Sequence, residues 1–319
     1  MATMMPEMPG KGQRLEGELQ SDLTVLRGWN WPYVAINGTQ DGPRATITAG
    51  IHGGEYVSIR AAVRIAREID PSELHGQLVV VPIVNLPSYW ERMAFFNPYD
   101  GKNLNRVFPG KAKGTFCEAL AYFIFNNVIT QGDSYVDLHG GDMVEDLLPF
   151  CGFLANGDPD VSARSKAMAE AFGLPFTMGR QADPNQPGGM TYVAAAQHGV
   201  AALLAEAGGI GQLTLDDVDL LVDGTRRVLQ ATGNLAGQPD SPGTTHATRS
   251  QTLFAPRDGF WIGDIRSGDK LTSGQQVGQI LDPYGNVTDT ITAPFDATVL
   301  YRTTSAAVKE GGILASLVV

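Results

Sequence analysis

The chain has 319 residues, 43% of them hydrophobic, which is enough to bury a core in one large domain or two unequal domains. It carries 34 acidic and 23 basic residues, a formal charge of −11, and no run of lysine or arginine that could follow a phosphate backbone. These features argue against a nucleic-acid partner. No stretch reaches the roughly 18 consecutive apolar residues of a membrane helix, and the first residues lack the apolar core of a secretion signal. We therefore expect a cytoplasmic protein without a membrane partner.

Cysteine usage limits the chemistry of any metal site. Cys117 and Cys151 are the two cysteines of the chain, too few for a disulfide framework and not spaced as a CxxC thiolate site. If zinc binds, nitrogen and oxygen atoms must hold it.

A strand, a tight turn and a helix are predicted near residue 50. Residues 44–51 alternate and then run apolar into the sequence HGGE at residues 52–55. Apolar residues then recur at helical spacing from Val57 to Ile69, where Asp70 and Pro71 end the pattern.

Three later segments predict strands of a mostly parallel α/β sheet. Residues 78–84 are apolar on both alternating faces, as in a strand covered by helices on either side, and Pro82 indicates an edge or a strand end. Residues 200–205 are also apolar and residues 134–138 are mostly so, and the two segments run into Glu206 and His139. Ligands of open α/β sheets bind at the carboxyl ends of strands, so we expect His52, His139 and Glu206 to converge there.

The composition changes at residues 232–250, which are rich in Gly, Pro, Ser and Thr and lack apolar periodicity. Beyond them, short apolar segments alternate with turn signals. We predict a catalytic domain at residues 1–235 and a small all-β domain at residues 250–319.

His52 and Glu55 are candidate metal ligands because residues three apart in the first turn of a helix face the same way, and Gly53 and Gly54 allow a tight bend before it. A single HxxE is a weak signal. Catalytic zinc typically has three protein ligands and one open position, and His139 is the best remaining imidazole for the third.

The residues around this candidate site have plainer interpretations. Asp137 shares a strand face with His139, so it either orients that imidazole or makes a simple strand-end hydrogen bond. His75, at a helix-to-strand turn, His198, at a predicted helix end, and His246, in the linker, are interpreted as structural or solvent-facing.

Four motifs in fixed order carry a family resemblance: AGIHGGE at residues 49–55, NLNRVFPG at 103–110, DLH at 137–139 and AEAG at 205–208. Together they resemble the succinylglutamate desuccinylase and aspartoacylase family, which is related to zinc carboxypeptidases. The resemblance covers about residues 40 to 230. It implies a zinc-carboxypeptidase-like α/β fold, a mixed sheet flanked by helices.

The resemblance also implies roles for seven residues around one zinc ion per chain. These are His52, Glu55 and His139 as zinc ligands, Asn105 and Arg106 as the grip on a substrate carboxylate, Glu206 as general base, and Arg92, by its position, as the group that polarises the scissile carbonyl. Apart from the family resemblance, a guanidinium is a suitable partner for a carboxylate because it can donate two parallel charge-assisted hydrogen bonds.

The C-terminal residues resemble a biotinyl/lipoyl-type β-barrel sandwich. The hairpin expected to carry a modified lysine reads DPYGN at residues 282–286 and has no lysine. A cofactor-carrying role is therefore not expected, and this unit either shields the active-site mouth or supports a homo-oligomer.

The expected function is zinc-dependent hydrolysis of the amide bond of a small N-acylated amino acid or a related carboxylate-bearing amide. Two alternatives stay open, a zinc carboxypeptidase acting on peptides and a non-catalytic relic of such an enzyme. A serine hydrolase is disfavoured because there is no GxSxG elbow, and HGGE does not continue into the GK[ST] of a phosphate loop.

Overall fold

A computed structural model describes residues 4–183 and 188–319. Its α-helices are α1 (Tyr56–Glu68), α2 (Leu86–Glu91), α3 (Phe116–Asn127), α4 (Pro159–Phe172), α5 (Thr191–Gln197) and α6 (Leu215–Ala231). Its strands are β1 (Gln13–Gln20), β2 (Asn30–Asn37), β3 (Gln40–Ala49), β4 (His75–Val81), β5 (Ser134–His139), β6 (Glu145–Leu147), β7 (Phe150–Leu154), β8 (Phe176–Arg180), β9 (Ala201–Glu206), β10 (Thr245–His246), β11 (Ser250–Phe254), β12 (Gly259–Gly263), β13 (Lys270–Leu271), β14 (Gln276–Leu281), β15 (Val287–Thr292), β16 (Ala297–Thr303), β17 (Ala307–Val308) and β18 (Ile313–Val318).

The largest sheet is mixed, as the family resemblance predicted. Its strand order is β1-β2-β4-β3-β5-β9-β7-β8-β10. The strands β4, β3, β5 and β9 run parallel to one another, and β7, β8 and β10 form a second parallel run. The pairings β1-β2, β2-β4 and β7-β9 are antiparallel. The parallel centre brings the carboxyl ends of β3, β5 and β9 to one edge.

Helices cover both faces of this sheet. Along β4, Leu78 and Val80 belong to the apolar core that includes α1, α4 and α6, whereas Val79 and Val81 belong to the core that includes α3 and α5. The prediction of a strand buried on both sides is therefore confirmed. Pro82 directly follows the last residue of β4, where it removes no hydrogen bond from the sheet.

The predicted strand, turn and helix around HGGE are also confirmed. β3 ends at Ala49 and α1 begins at Tyr56, and Val57, Ala61 and Ile65 lie on the buried face of α1. Apolar residues at this spacing form one stripe of a helix, so local periodicity alone determines the face that packs on the sheet.

The C-terminal residues form two antiparallel sheets, with strand orders β11-β18-β16-β13 and β15-β14-β12-β17. They enclose a separate apolar core that includes Trp261 and Ile280. Residues 282–286 connect β14 to β15, the hairpin that the sequence predicted. The pairing of β6 with β16 joins these sheets to the main body, and β10, inside the predicted linker, extends the largest sheet by pairing with β8.

No helix among residues 4–183 and 188–319 combines the length and the apolar composition that crossing a membrane requires.

Candidate active site

The polar ends of the parallel strands meet at one edge of the sheet. His139 and Glu206 are the last residues of β5 and β9 and lie opposite each other in the register of that pair. β3 pairs with the other side of β5 and ends at Ala49, three residues before His52. The expected convergence of the three strand ends is thus present.

Two glycines allow the turn between β3 and α1 to pack tightly. A Cβ on Gly53 would lie 2.2 Å from the backbone nitrogen of Tyr89 in α2, and a Cβ on Gly54 would lie 2.1 Å from an oxygen of Asp142. Neither position has room for a side chain. The close packing fixes His52 and Glu55 on the same side of the turn, with Nδ1 of His52 2.6 Å from Oε1 of Glu55.

His52, Glu55 and His139 form a buried cluster that could hold a metal ion. Their side-chain donor atoms lie within 4.8 Å of one another, and the residues are 7%, 3% and 0% exposed. Nδ1 of His139 lies 2.9 Å from Oε2 of Glu55, yet neither buried atom has a hydrogen-bond partner among the described residues. Buried polar atoms are rarely left without a partner, so this pair fits a bound cation. Two imidazoles and a carboxylate are a ligand set typical of catalytic zinc.

A hydrogen bond to the second nitrogen orients each imidazole. Nε2 of His52 lies 3.1 Å from Oδ1 of Asn103, and Nε2 of His139 lies 2.9 Å from Oδ2 of Asp137. Such partners fix the ring orientation and turn the other nitrogen toward the metal. Of the two interpretations of Asp137, the geometry supports the orienting one. Asn103 orients the imidazole of His52 in the same way. Its role was not predicted from the sequence, although Asn103 is the first residue of the NLNRVFPG motif.

The electrostatics of the cluster favour an ionised ligand and a protonatable neighbour. Burial opposes the charge on Glu55, but the two imidazoles outweigh it and lower the pKa of this carboxyl. Burial raises the pKa of Glu206 well above its ordinary value; the positive charge of His139 opposes the shift and the negative charge of Glu55 adds to it. The Glu206 side chain makes no hydrogen bond with the described residues, so its carboxyl is free to exchange a proton with a bound molecule.

Asn105 and Arg106 lie in a short 3-10 turn, residues 104–106, beside the cluster. Oδ1 of the buried Asn105 accepts a hydrogen bond of 3.0 Å from the backbone nitrogen of Thr191, which leaves its amide NH2 available as a donor. The Arg106 guanidinium donates to the backbone oxygen of Asn105 at 2.9 Å. Although Arg106 as a residue is exposed, partial burial of its guanidinium and the nearby charge of Arg180 lower its pKa.

A cavity of about 540 Å³ extends from Arg106. Its lining includes the cationic side chains of Lys111 and Arg180, together with Met190 and Val193. Arg180, the last residue of β8, was not anticipated, because an isolated arginine after a short strand gives no sequence signal.

Arg92 lies at the end of α2, exposed and with a left-handed backbone at φ 53°. Its backbone nitrogen donates a hydrogen bond to the backbone oxygen of Tyr89, and Tyr89 packs against Gly53. No described contact joins the Arg92 side chain to the His52, Glu55 and His139 cluster. Its role in polarising the carbonyl therefore stays a prediction.

Glu145, the first residue of β6, is a further acid near the cluster, and no sequence motif would have identified it. Burial, followed by the negative charge of Glu55, raises the pKa of Glu145 to about 7. Its charge also acts on Arg106 and Tyr301. Glu145 therefore lies within electrostatic range of both Glu55 and Arg106.

The other three histidines do not belong to the cluster. His75 begins β4, and His198 caps the C-terminal end of α5. His246 lies in β10 and contacts Glu170 at 2.9 Å, so the segment predicted to be a plain linker contains one strand.

Residues 41–232 match the model of the succinylglutamate desuccinylase/aspartoacylase catalytic domain. The chain belongs to this family. Over 248 residues it is 27% identical to N-alpha-acetyl-L-2,4-diaminobutyric acid deacetylase of Halomonas elongata, a match that covers 76% of this chain and 71% of the relative.

Solved structures of the family have the same fold. The succinylglutamate desuccinylase/aspartoacylase of Rhodobacter sphaeroides is 26% identical, with a TM-score of 0.82 over 96% of this chain and 95% of that one. The product-bound ectoine utilization protein EutE (DoeB) of Ruegeria pomeroyi is 25% identical, with a TM-score of 0.84 and the same coverage of both chains. Because the matches span nearly the whole length, the C-terminal sheets are part of the shared architecture.

Proposed function

We propose that this protein is a zinc-dependent deacylase that hydrolyses the amide bond of a small N-acylated amino acid. The observation that carries the proposal is the buried cluster of His52, Glu55 and His139, in which nitrogen and oxygen donors lie within 4.8 Å of one another beside Glu206. The deacetylase from Halomonas elongata acts on an N-acetylated amino acid, which supports the same substrate class here.

Nδ1 of His52, Nδ1 of His139 and the carboxylate of Glu55 would hold one zinc ion per chain. Bound zinc supplies a Lewis acid that polarises the scissile carbonyl and makes water a stronger nucleophile. Two atoms without hydrogen-bond partners, Oε2 of Glu55 and Nδ1 of His139, would gain a partner. Asn103 and Asp137 keep the imidazoles oriented, because each accepts a hydrogen bond from the opposite ring nitrogen.

Glu206 is proposed to move the proton. Its carboxylate accepts a proton from the attacking water as the water oxygen adds to the amide carbon, and it then donates this proton to the leaving nitrogen as the C–N bond breaks. One water is consumed, and a carboxylic acid and an amine are released. The raised pKa of Glu206 suits both halves of this transfer, because a group that ionises nearer to neutrality accepts and returns a proton readily.

Three side chains are proposed to position the substrate. The Arg106 guanidinium makes one hydrogen bond with the described residues, to a backbone oxygen, and so retains donors for a bidentate interaction with the substrate carboxylate. The free amide NH2 of Asn105 would add a third donor. Arg92 is proposed to stabilise negative charge on the carbonyl oxygen during attack.

Metal analysis combined with a substrate panel tests this function. Zinc content is measured on the purified protein, and turnover is measured on N-acetyl-L-2,4-diaminobutyrate, N-acetyl-L-aspartate, N-succinyl-L-glutamate and unblocked dipeptides. Turnover of the N-acyl amino acids supports the proposal. Turnover of dipeptides alone would favour the carboxypeptidase alternative, and bound zinc with no turnover would favour a non-catalytic relic.

The division into a catalytic domain at residues 1–235 and an all-β domain at residues 250–319, the cytoplasmic location and the homo-oligomer stay predictions from the sequence.

A further inference from the structure

Thr191, the first residue of α5, contacts two separate parts of the candidate active site, and the proposed reaction gives it no role. It is fully buried. Its hydroxyl donates a hydrogen bond to Oδ2 of Asp137, the oxygen that also lies 2.9 Å from Nε2 of His139. Its backbone nitrogen donates to Oδ1 of Asn105 at 3.0 Å. One residue therefore joins the support of a candidate zinc ligand to the carboxylate grip, which consists of Asn105 and Arg106.

A second link runs from the grip to the other imidazole. Oδ1 of Asn103 accepts a hydrogen bond of 2.8 Å from the backbone nitrogen of Asn105 and lies 3.1 Å from Nε2 of His52. His52 and His139 both contact Glu55, at 2.6 and 2.9 Å, which completes a ring of contacts. Asn105 is therefore linked to the metal cluster on both sides, once through each imidazole.

The backbone before Thr191 is paired with the motif that carries the grip. Phe108 and Gly189 exchange two backbone hydrogen bonds, of 3.1 and 2.7 Å. A Cβ on Gly188 would lie 2.2 Å from the backbone oxygen of Phe108, so this segment packs tightly against the motif. The start of α5 and the motif at residues 103–110 thus form one packed unit, and the hydroxyl of Thr191 ties this unit to β5.

We propose that Thr191 is a positioning residue that sets the distance between the metal cluster and the carboxylate grip. This inference rests on the proposed deacylase function. A substrate that is held at its scissile carbonyl and at its carboxylate fits only when the spacing of these two groups matches the spacing of the site. Displacement of a group by about 1 Å can reduce the rate about 100-fold, so a fixed spacing makes the enzyme selective for the distance between amide and carboxylate.

Two isomeric substrates test the spacing. N-acetyl-L-alanine and N-acetyl-β-alanine contain the same atoms, and the carboxylate of the second lies one carbon farther from the amide. We expect wild-type kcat/KM to favour one isomer by at least about tenfold. Thr191→Val removes the hydroxyl and keeps the backbone N–H and the size of the side chain, so the ratio should fall below about threefold through loss on the preferred isomer. Thr191→Ser retains the hydroxyl and should keep the ratio within about twofold of wild type.

Thr48→Val is the matched control. Thr48 is also fully buried; its hydroxyl donates to Oδ1 of Asp137 at 2.8 Å and lies 2.5 Å from the hydroxyl of Tyr135. The substitution removes a donor from the same carboxylate, and no described hydrogen bond joins the Thr48 side chain to the grip. Because two contacts are lost, it should lower the melting temperature at least as much as Thr191→Val, yet leave the isomer ratio within about twofold of wild type.

Two results would overturn the positioning role. If both valine variants change the isomer ratio alike, or if Thr191→Val leaves the ratio unchanged, Thr191 only stabilises the fold. Thr191→Ala provides the same comparison if valine at this position prevents folding, because the smaller side chain leaves room for a water molecule beside Asp137.

Calorimetry separates this inference from the proposed function, because binding of the free amino acids needs no turnover. L-alanine and β-alanine each carry an amine for the metal side of the site and a carboxylate for the grip, and the distance between these groups differs. Zinc-loaded wild-type protein should bind one of them at least about fivefold more tightly, and Thr191→Val should bind them alike. A Thr191-dependent preference in a protein that hydrolyses no amide would refute the deacylase function and retain the positioning role. Equal binding of both amino acids by the wild type would refute the positioning role, whatever the activity.

Discussion

The substitution Asp137→Asn tests whether the hydrogen bond between Nε2 of His139 and Asp137 strengthens zinc binding. Asp137 is fully buried. Its Oδ2 accepts from Nε2 of His139 at 2.9 Å and from the hydroxyl of Thr191, and its Oδ1 accepts from Thr48 at 2.8 Å. Asparagine can keep its oxygen toward His139 and Thr191 and turn its NH2 toward Thr48. The Thr48 hydroxyl can then accept from that NH2 and donate to Tyr135, 2.5 Å away.

The expected magnitudes follow from this rearrangement. Because every donor keeps a partner, the free energy of unfolding should fall by only about 1 kcal/mol. The negative charge that makes His139 a better ligand is lost, so zinc affinity should fall about 10- to 100-fold, which corresponds to about 1.4 to 2.7 kcal/mol. Asp137→Ala would instead strand three buried donors at about 1 to 3 kcal/mol each and should disrupt the fold.

The assay is competition for zinc between the protein and a chelator, with the melting temperature of the zinc-free protein measured in parallel. Thr48→Val is the control, because it removes one hydrogen bond to Asp137 without removing the charge, and its zinc affinity should stay within about threefold of wild type. Wild-type zinc affinity in Asp137→Asn would show that Asp137 only ties the strand together and does not support a ligand.

The remaining predictions concern the ligands, the substrate grip and the base. His52→Ala and His139→Ala should each lose stoichiometric zinc, measured by metal analysis, since two protein ligands hold catalytic zinc poorly; full metal retention in both variants would contradict the ligand assignment. Arg106→Ala should reduce kcat/KM mainly for substrates with a free carboxylate, and an equal loss on their methyl esters would show that the grip is assigned wrongly. Glu206→Gln should keep the zinc and the melting temperature while kcat falls about 10²- to 10⁴-fold, and a kcat within about threefold of wild type would exclude Glu206 as the base.

The sequence predicted the parts of the structure that depend on local pattern. The apolar run into His139 and the helical spacing after Glu55 determine a strand and a helix whatever the rest of the chain does, and both are present. Three strand ends then converge because parallel strands end at one edge of a sheet. Comparison of the histidines added His139 as the third candidate ligand, the motif order added the family, and the matched residues 41–232 confirm the family.

The residues that sequence reading missed depend on partners far along the chain. Asn103 follows no strand, and it reaches His52 only because the loop before residues 104–106 crosses the turn that precedes α1. Arg180 meets Arg106 through the pairing of β8 with β7 in a part of the sheet that no motif marks. Such contacts are set by strand order, and the strand order β5-β9-β7-β8 does not follow the order of the chain.

The C-terminal sheets contact the strand that carries Glu145. The sequence predicted that these sheets shield the active-site mouth or support an oligomer, and this contact belongs to neither prediction. β16 pairs with β6, so that Thr303 lies opposite Glu145 and Tyr301 lies opposite Leu147. Arg302 between them binds Asp146, and Leu148 donates a backbone hydrogen bond of 2.8 Å to Leu300. A three-residue strand such as β6 cannot be stable alone, since strands gain their hydrogen bonds from neighbours. The C-terminal sheets therefore stabilise β6 from outside, and the position of Glu145, its first residue, depends on a strand that lies more than one hundred residues later in the chain.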